Sequence, residues 1–132
     1  MSGVNDLGEL IRSMKPEVRD GVFVVASVEP LRLVGMAAEA IIREDEGPTV
    51  VMRRADADAE GIPYDFVAAW ITLTVHSDLA AVGLTAAFST ALAEAGISCN
   101  VLAGFHHDHL LVPADRRDDA LAALADLAAS GS

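Results

Sequence analysis

Cysteine occurs once in the 132 residues, at Cys99. That excludes an internal disulfide framework and suits a reducing compartment. Basic residues are scarce too, with nine Lys and Arg against twenty Asp and Glu, for a formal charge of −11. Affinity for nucleic acid rests on Lys and Arg neutralising phosphates, so a nucleic-acid partner is excluded. An anionic membrane surface would repel the chain for the same reason. Long apolar runs are missing as well. The first twenty residues hold nothing like the core of roughly 7–15 apolar residues of a signal peptide. The longest low-charge stretch, Phe66 to Val75, falls far short of the roughly 20 residues a membrane span requires. These readings imply a cytoplasmic protein. The sequence contains no GxSxG, P-loop, CxxC or HExxH signature, so no enzyme and no cofactor are expected.

What is present is a core. Apolar residues make up 52% of the chain and charged residues 22%, which argues against disorder. The length allows one domain or two very small ones. Leu7, Leu10, Ile11 and Met14 fall at helical spacing behind Asn5 or Asp6 as a cap, and Pro16 closes that helix. Residues 21–28 read as a buried strand, and residues 40–54 as a hairpin turning at Gly47-Pro48. One or two helical turns are expected between Asp56 and Gly61.

A second cycle opens at Trp70, where Ile71, Leu73 and Val75 alternate with Trp70, Thr72, Thr74 and His76. Ser77 or Asp78 is expected to cap a helix running to Ala95, stopped by Gly96. Strands over 98–104 and 109–113 follow, then a helix capped by Asp115 with Leu121, Leu124 and Leu127 on one face. This second half reads β-α-β-β-α. Sliding the chain by 48 residues lays residues 23–35 on 71–83, and sliding by 60 lays 40–58 on 100–118. The repeat therefore predicts a first half that has lost most of one helix. It also places Val22, Val24, Ala26 and Val28 on the face occupied by Trp70, Thr72 and Thr74.

The stretches HSDLAAVGLTAAF (76–88) and LAEAGISCNV (92–101) resemble an ACT domain, in particular the regulatory end of aspartokinases. Over its length the chain is similar to small bacterial tandem ACT-domain proteins. The resemblance implies an α+β, ferredoxin-like fold of two tandem repeats with antiparallel sheets, the truncated one over 1–64 and the complete one over 65–132. It further implies a non-enzymatic regulatory protein that binds a small ligand, an amino acid, at an ACT–ACT interface. A homodimer and a separate regulated enzyme are the implied partners.

In such domains the loop before the first helix and the helix start offer backbone N–H groups to a ligand carboxylate, because orphan amides and the helix dipole attract an anion. The matching positions here are His76, Ser77, Asp78, Val82, Gly83, Leu84 and Thr85. The plain alternative is an ordinary helix start with Gly83 as a packing contact. On the following strand the match falls on Ser98, Cys99 and Asn100. Lysine-binding relatives carry an acid where Asn100 stands, so the neutral side chain points to a neutral or acidic amino acid. His106, His107, Asp108 and His109 form a conspicuous cluster, but neighbouring side chains on a strand diverge, so no metal site is expected. His109 reads as a strand residue able to reach a ligand at a sheet interface. Cys99, in an apolar strand, reads as a structural thiol. The competing functions are a ligand-free interaction module and, behind it, a small enzyme using the histidines.

Overall fold

The computed structural model describes residues 7–75 and 83–130. In chain order the elements are α1 (Leu7–Ser13), β1 (Pro16–Val18), β2 (Phe23–Ser27), a 3-10 turn (Pro30–Leu33), β3 (Ala38–Ile42), β4 (Thr49–Arg53), α2 (Arg54–Ala59), β5 (Phe66–Leu73), α3 (Leu84–Glu94), β6 (Asn100–Ala103), β7 (Asp108–Pro113), a second 3-10 turn (Ala114–Arg116) and α4 (Arg117–Ser130). Packing divides them into two units, residues 20–69 and the described parts of 1–19 with 70–132. The division is discontinuous in sequence, unlike a split at 64/65, because α1 buries its apolar face among the C-terminal helices.

In the unit of residues 20–69 the strands run antiparallel in the order β3-β4-β2-β5. Gly47, at φ 129°, donates its N–H to Glu44 O at 3.0 Å and turns the expected hairpin. Ile41 pairs with Val50, and Ala26 with the same Val50 across β4. The core is Val24, Ala26, Val50 and Met52 from the strands, with Ala57 of α2 and Ile62. Directly opposed strand residues share a face, so these alternate positions form one wall. Where a first helix would stand there is only the 3-10 turn, which buries no residue. The lost helix was legible in the sequence. The face of β2 was not: Val24 and Ala26 lie on the wall beside α2, not on the face of Trp70 and Thr72. The 48-residue slide is one residue out of strand register, and a one-residue slip turns every side chain over.

In the other unit the strand order is β1-β5-β7-β6. β5 runs across the division, its residues 66–68 pairing with β2 and 71–73 with β1. The second half is β-α-β-β-α as expected, and β1 completes it: Val18 pairs with Ile71 and Pro16 with Leu73. Thr74 N–H and Arg19 N–H each donate across this edge, to Lys15 O and Trp70 O, both at 2.9 Å. Helices α1, α3 and α4 pack on one another. They bury Leu10 and Ile11, then Leu84, Phe88 and Leu92 at i, i+4 and i+8, then Ala120 and Leu124.

Two helix starts differ from expectation. α3 begins at Leu84 with Gly83 as its N-cap, not at Ser77 or Asp78; those two residues lie outside the described ones. Asp115 sits inside the 3-10 turn that precedes α4 and does not cap it. The C-terminus of α3 is as expected. Gly96 adopts φ 73°, and the N–H groups of Gly96 and Ile97 donate to Ala93 O and Leu92 O, each at 2.9 Å. That closes the helix in the left-handed manner glycine permits.

Candidate functional site

Gly83 is held at φ 102°, a conformation that side-chain-bearing residues avoid. A Cβ there would also come within 2.9 Å of Leu7 Cδ2. Backbone shape is what calls for glycine here, while the methyl end of the exposed Leu7 side chain lies close enough to make the position also a packing contact of α1, the reading weighed against a ligand role. Leu84 is buried and points its bulk inward, whereas Thr85 is exposed on the first turn of α3. His76, Ser77, Asp78 and Val82 lie outside the described residues.

Of the second set, Asn100 is exposed and opens β6, where it pairs with Leu111. Ser98 is exposed and Cys99 half-buried, and both precede the strand. Burial pushes the Cys99 thiol up to about 11, so it is protonated at neutral pH and unsuited to nucleophilic work. The two sets are not brought together within the unit. The nine residues of α3 that follow Thr85 separate them, about 14 Å at 1.5 Å per residue. A single amino acid does not span that distance.

The structure assembles a different polar cluster. Trp70, only 3% exposed, donates its indole N–H to His109 Nδ1 at 3.1 Å, and the Thr72 hydroxyl lies 3.0 Å from the same nitrogen. An indole can only donate, so Nδ1 accepts and the imidazole carries its proton on Nε2. Arg19 stacks over the Trp70 ring at 4.0 Å. Burial lowers the pKa of His109, helped by Arg19 and His107, while Asp108 opposes. The Trp70–Thr72 face was visible as alternation. Its partner His109 stands 39 residues away from Trp70, and no local pattern links them.

This cluster makes stability depend on pH. The folded pKa of His109 lies below its ordinary value of 6.5, so below about that pH the unfolded chain binds the proton more readily. The neutral ring's contribution is complete above pH 6.5 and is lost as pH falls through the folded value. Urea unfolding followed by Trp70 fluorescence is expected to show stability declining from pH 6.5 toward 5. In His109→Gln, whose amide oxygen still accepts from the indole, that slope flattens. An unchanged slope would remove His109 as its source.

Neighbouring histidines do not converge. Phe105 is 79% exposed and His106 packs edge-on against it, with ring centroids 5.0 Å apart. The turn closes through Gly104 N–H donating to His107 O at 2.9 Å. Among the described residues no three His, Cys, Asp or Glu side chains are grouped to hold a metal. In the unit of residues 20–69 a cavity of about 250 Å³ opens where β2 ends, lined by Ser27, Glu29, Pro30, Arg32 and Glu46 among others. Its one cation is engaged, since Arg32 Nη2 donates to Glu60 O at 2.9 Å.

Family comparison decides what these modules are. One ACT-domain model matches residues 2–69 and another matches residues 66–126. The chain belongs to the ACT-domain family. The fold and the tandem organisation are those the sequence implied, and ACT domains are regulatory and not catalytic modules. A Vibrio cholerae protein of unknown function, described as a possible transport protein, is 43% identical over 96% of this ACT protein and 99% of its own length, with a TM-score of 0.85. A protein from Agrobacterium tumefaciens matches at 22% identity over 87% and 89% of the two chains, with a TM-score of 0.65. The ligand-free regulatory subunit of aspartate kinase from Thermus thermophilus matches at 13% identity over 85% and 95%, with a TM-score of 0.64. These last two likenesses are of fold. No curated protein matches the chain.

Proposed function

We propose that this ACT protein is a non-enzymatic sensor that binds a small amino acid across an interface between two copies of the chain. The observation that carries the reading is the separation of the two candidate sets along α3. Gly83, Leu84 and Thr85 at one end offer helix-start amides suited to a carboxylate. Ser98, Cys99 and Asn100 lie at the other end, so in an antiparallel pair of units each end meets the complementary end of its neighbour. His76, Ser77, Asp78 and Val82 precede Gly83 in the sequence and complete the first set. Asn100 is neutral and accepts or donates without favouring a cation, which suits a neutral or acidic amino acid over lysine. The fold-level likeness to an aspartate kinase regulatory subunit supports action on a separate enzyme, in the cytoplasm.

Binding of this kind shifts a population: the ligand favours the bridged arrangement by its differential affinity and no more. A thermal-shift screen of the twenty amino acids tests the reading. At 100 times its dissociation constant the right one adds about 2.7 kcal/mol of stability, a shift of several degrees. Asn100→Asp is expected to weaken an acidic or neutral ligand. If none of the twenty shifts the midpoint, the sensor reading fails and a ligand-free interaction module takes its place.

A further inference from the structure

We infer that the cavity where β4 passes into α2 binds the phosphate group of a small phosphomonoester, held by the guanidinium groups of Arg53 and Arg54. The cavity measures about 320 Å³ and lies within the unit of residues 20–69. That volume is at the lower end of small-molecule sites, roughly 300–1,000 Å³. Consecutive side chains of a strand point to opposite faces, but β4 ends at Arg53 and α2 begins at Arg54. The change of path brings both side chains to the lining of one cavity. The N–H of Arg54 already donates to Val22 O at 2.8 Å. Side chains, and not the start of a short helix, therefore hold the anion.

The first guanidinium is fixed in advance. Arg53 stands opposite Phe23 in the strand ladder, with its Cζ 5.1 Å from the centre of that ring. Its Nη1 donates to Asp20 O at 2.7 Å. Gly21 makes room for it, since a Cβ there would come within 2.7 Å of Nη1. A guanidinium carries several N–H donors, so one carbonyl leaves the others for an oxyanion. The second guanidinium is uncommitted: Arg54 is exposed and makes no hydrogen bond or ion pair among the described residues. Asp58 is the acid on the lining, and it accepts from the Tyr64 hydroxyl at 2.7 Å. The lining thus holds two cations against one acid, in a chain whose charge of −11 repels anions elsewhere. One guanidinium satisfies a planar carboxylate. Two of them suit a tetrahedral group with three acceptor oxygens and nearly two charges. None of these residues belongs to the sets proposed for the amino acid, so this site stands or falls independently of the sensor reading.

The test is a titration of the full, nitrogen-15-labelled chain with phenyl phosphate at constant ionic strength, read by backbone amide and arginine Nε–H resonances. Saturable shifts are expected at Gly21, Val22 and Arg53 to Ala55, with a dissociation constant about tenfold or more below that of benzoate. Arg54→Gln, an exposed substitution, is expected to weaken phenyl phosphate about tenfold while the rest of the amide spectrum stays native. Arg53→Lys keeps the charge but loses the planar fork, and it weakens binding likewise. Arg43→Gln removes a cation of the same unit that is not on this lining, and leaves the affinity unchanged. Shifts that never saturate overturn the proposal, as does native affinity in Arg54→Gln or an equal loss in Arg43→Gln. Benzoate bound as tightly as phenyl phosphate overturns the assignment of the site to phosphate.

Discussion

Deleting residues 1–19 is expected to abolish the cooperative fold of the unit that contains Trp70. The deletion removes Leu10 and Ile11, both fully buried, and Met14, 3% exposed. Losing one such side chain from a core costs about 2–5 kcal/mol, and whole domains of this size hold only about 5–15 kcal/mol. It also strips β1 from β5, with the hydrogen bonds from Thr74 and Arg19 across that edge. The chain's only tryptophan reports the outcome directly, since Arg19 no longer stacks on Trp70. Red-shifted Trp70 emission, loss of the near-ultraviolet dichroism and a gradual urea transition are expected. A sigmoidal transition with native-like Trp70 signals in the deleted chain would show that α1 and β1 are dispensable.

That deletion probes the part of the architecture the sequence concealed. Leu7, Leu10, Ile11 and Met14 announced a helix with an apolar stripe, but periodicity reports that a face exists and not what it meets. The second half read as β-α-β-β-α, one strand short of a closed plan. The missing strand is three residues long and begins at Pro16, too short for alternation to register. The lost helix of the first half was legible because the two slides differ by about a helix length. The orientation of Val24 and Ala26 was not, because a period of two tolerates no error in alignment.

The candidate site shows the same divide. Gly83 was singled out by the resemblance, but the sequence pattern set the start of α3 at Ser77 or Asp78 and gave no sign of the left-handed N-cap at Gly83. Its contact with Leu7 joins positions 76 residues apart and has no local trace. The Trp70–His109 bond is of the same kind, made by strand pairing rather than by spacing. Resemblance supplied the family, and the family model matches confirm it. Only the folded chain shows that the body of α3 lies between Thr85 and Asn100.

The replacement of α3 by a 3-10 turn in the first repeat has its own energetic signature. Phe88 is fully buried between Leu84 and Leu92 on the inner face of α3, and Phe88→Ala is expected to cost about 3–5 kcal/mol. Leu31 occupies the corresponding stretch between the first two strands of the other unit, in the turn Pro30–Leu33, and is 86% exposed. Leu31→Ala is therefore expected to change stability by no more than about 0.5 kcal/mol. Urea midpoints at constant transition slope measure both. The contrast follows from what each segment buries: α3 carries Leu84, Phe88 and Leu92 inward, whereas the turn adds only the half-buried Leu33 to the wall of Val24, Ala26, Val50 and Met52, which is closed by Ala57 of α2 and Ile62. Equal costs at the two positions would mean that the turn carries as much of its unit's core as the helix does, and that the first repeat had rebuilt its missing layer instead of losing it.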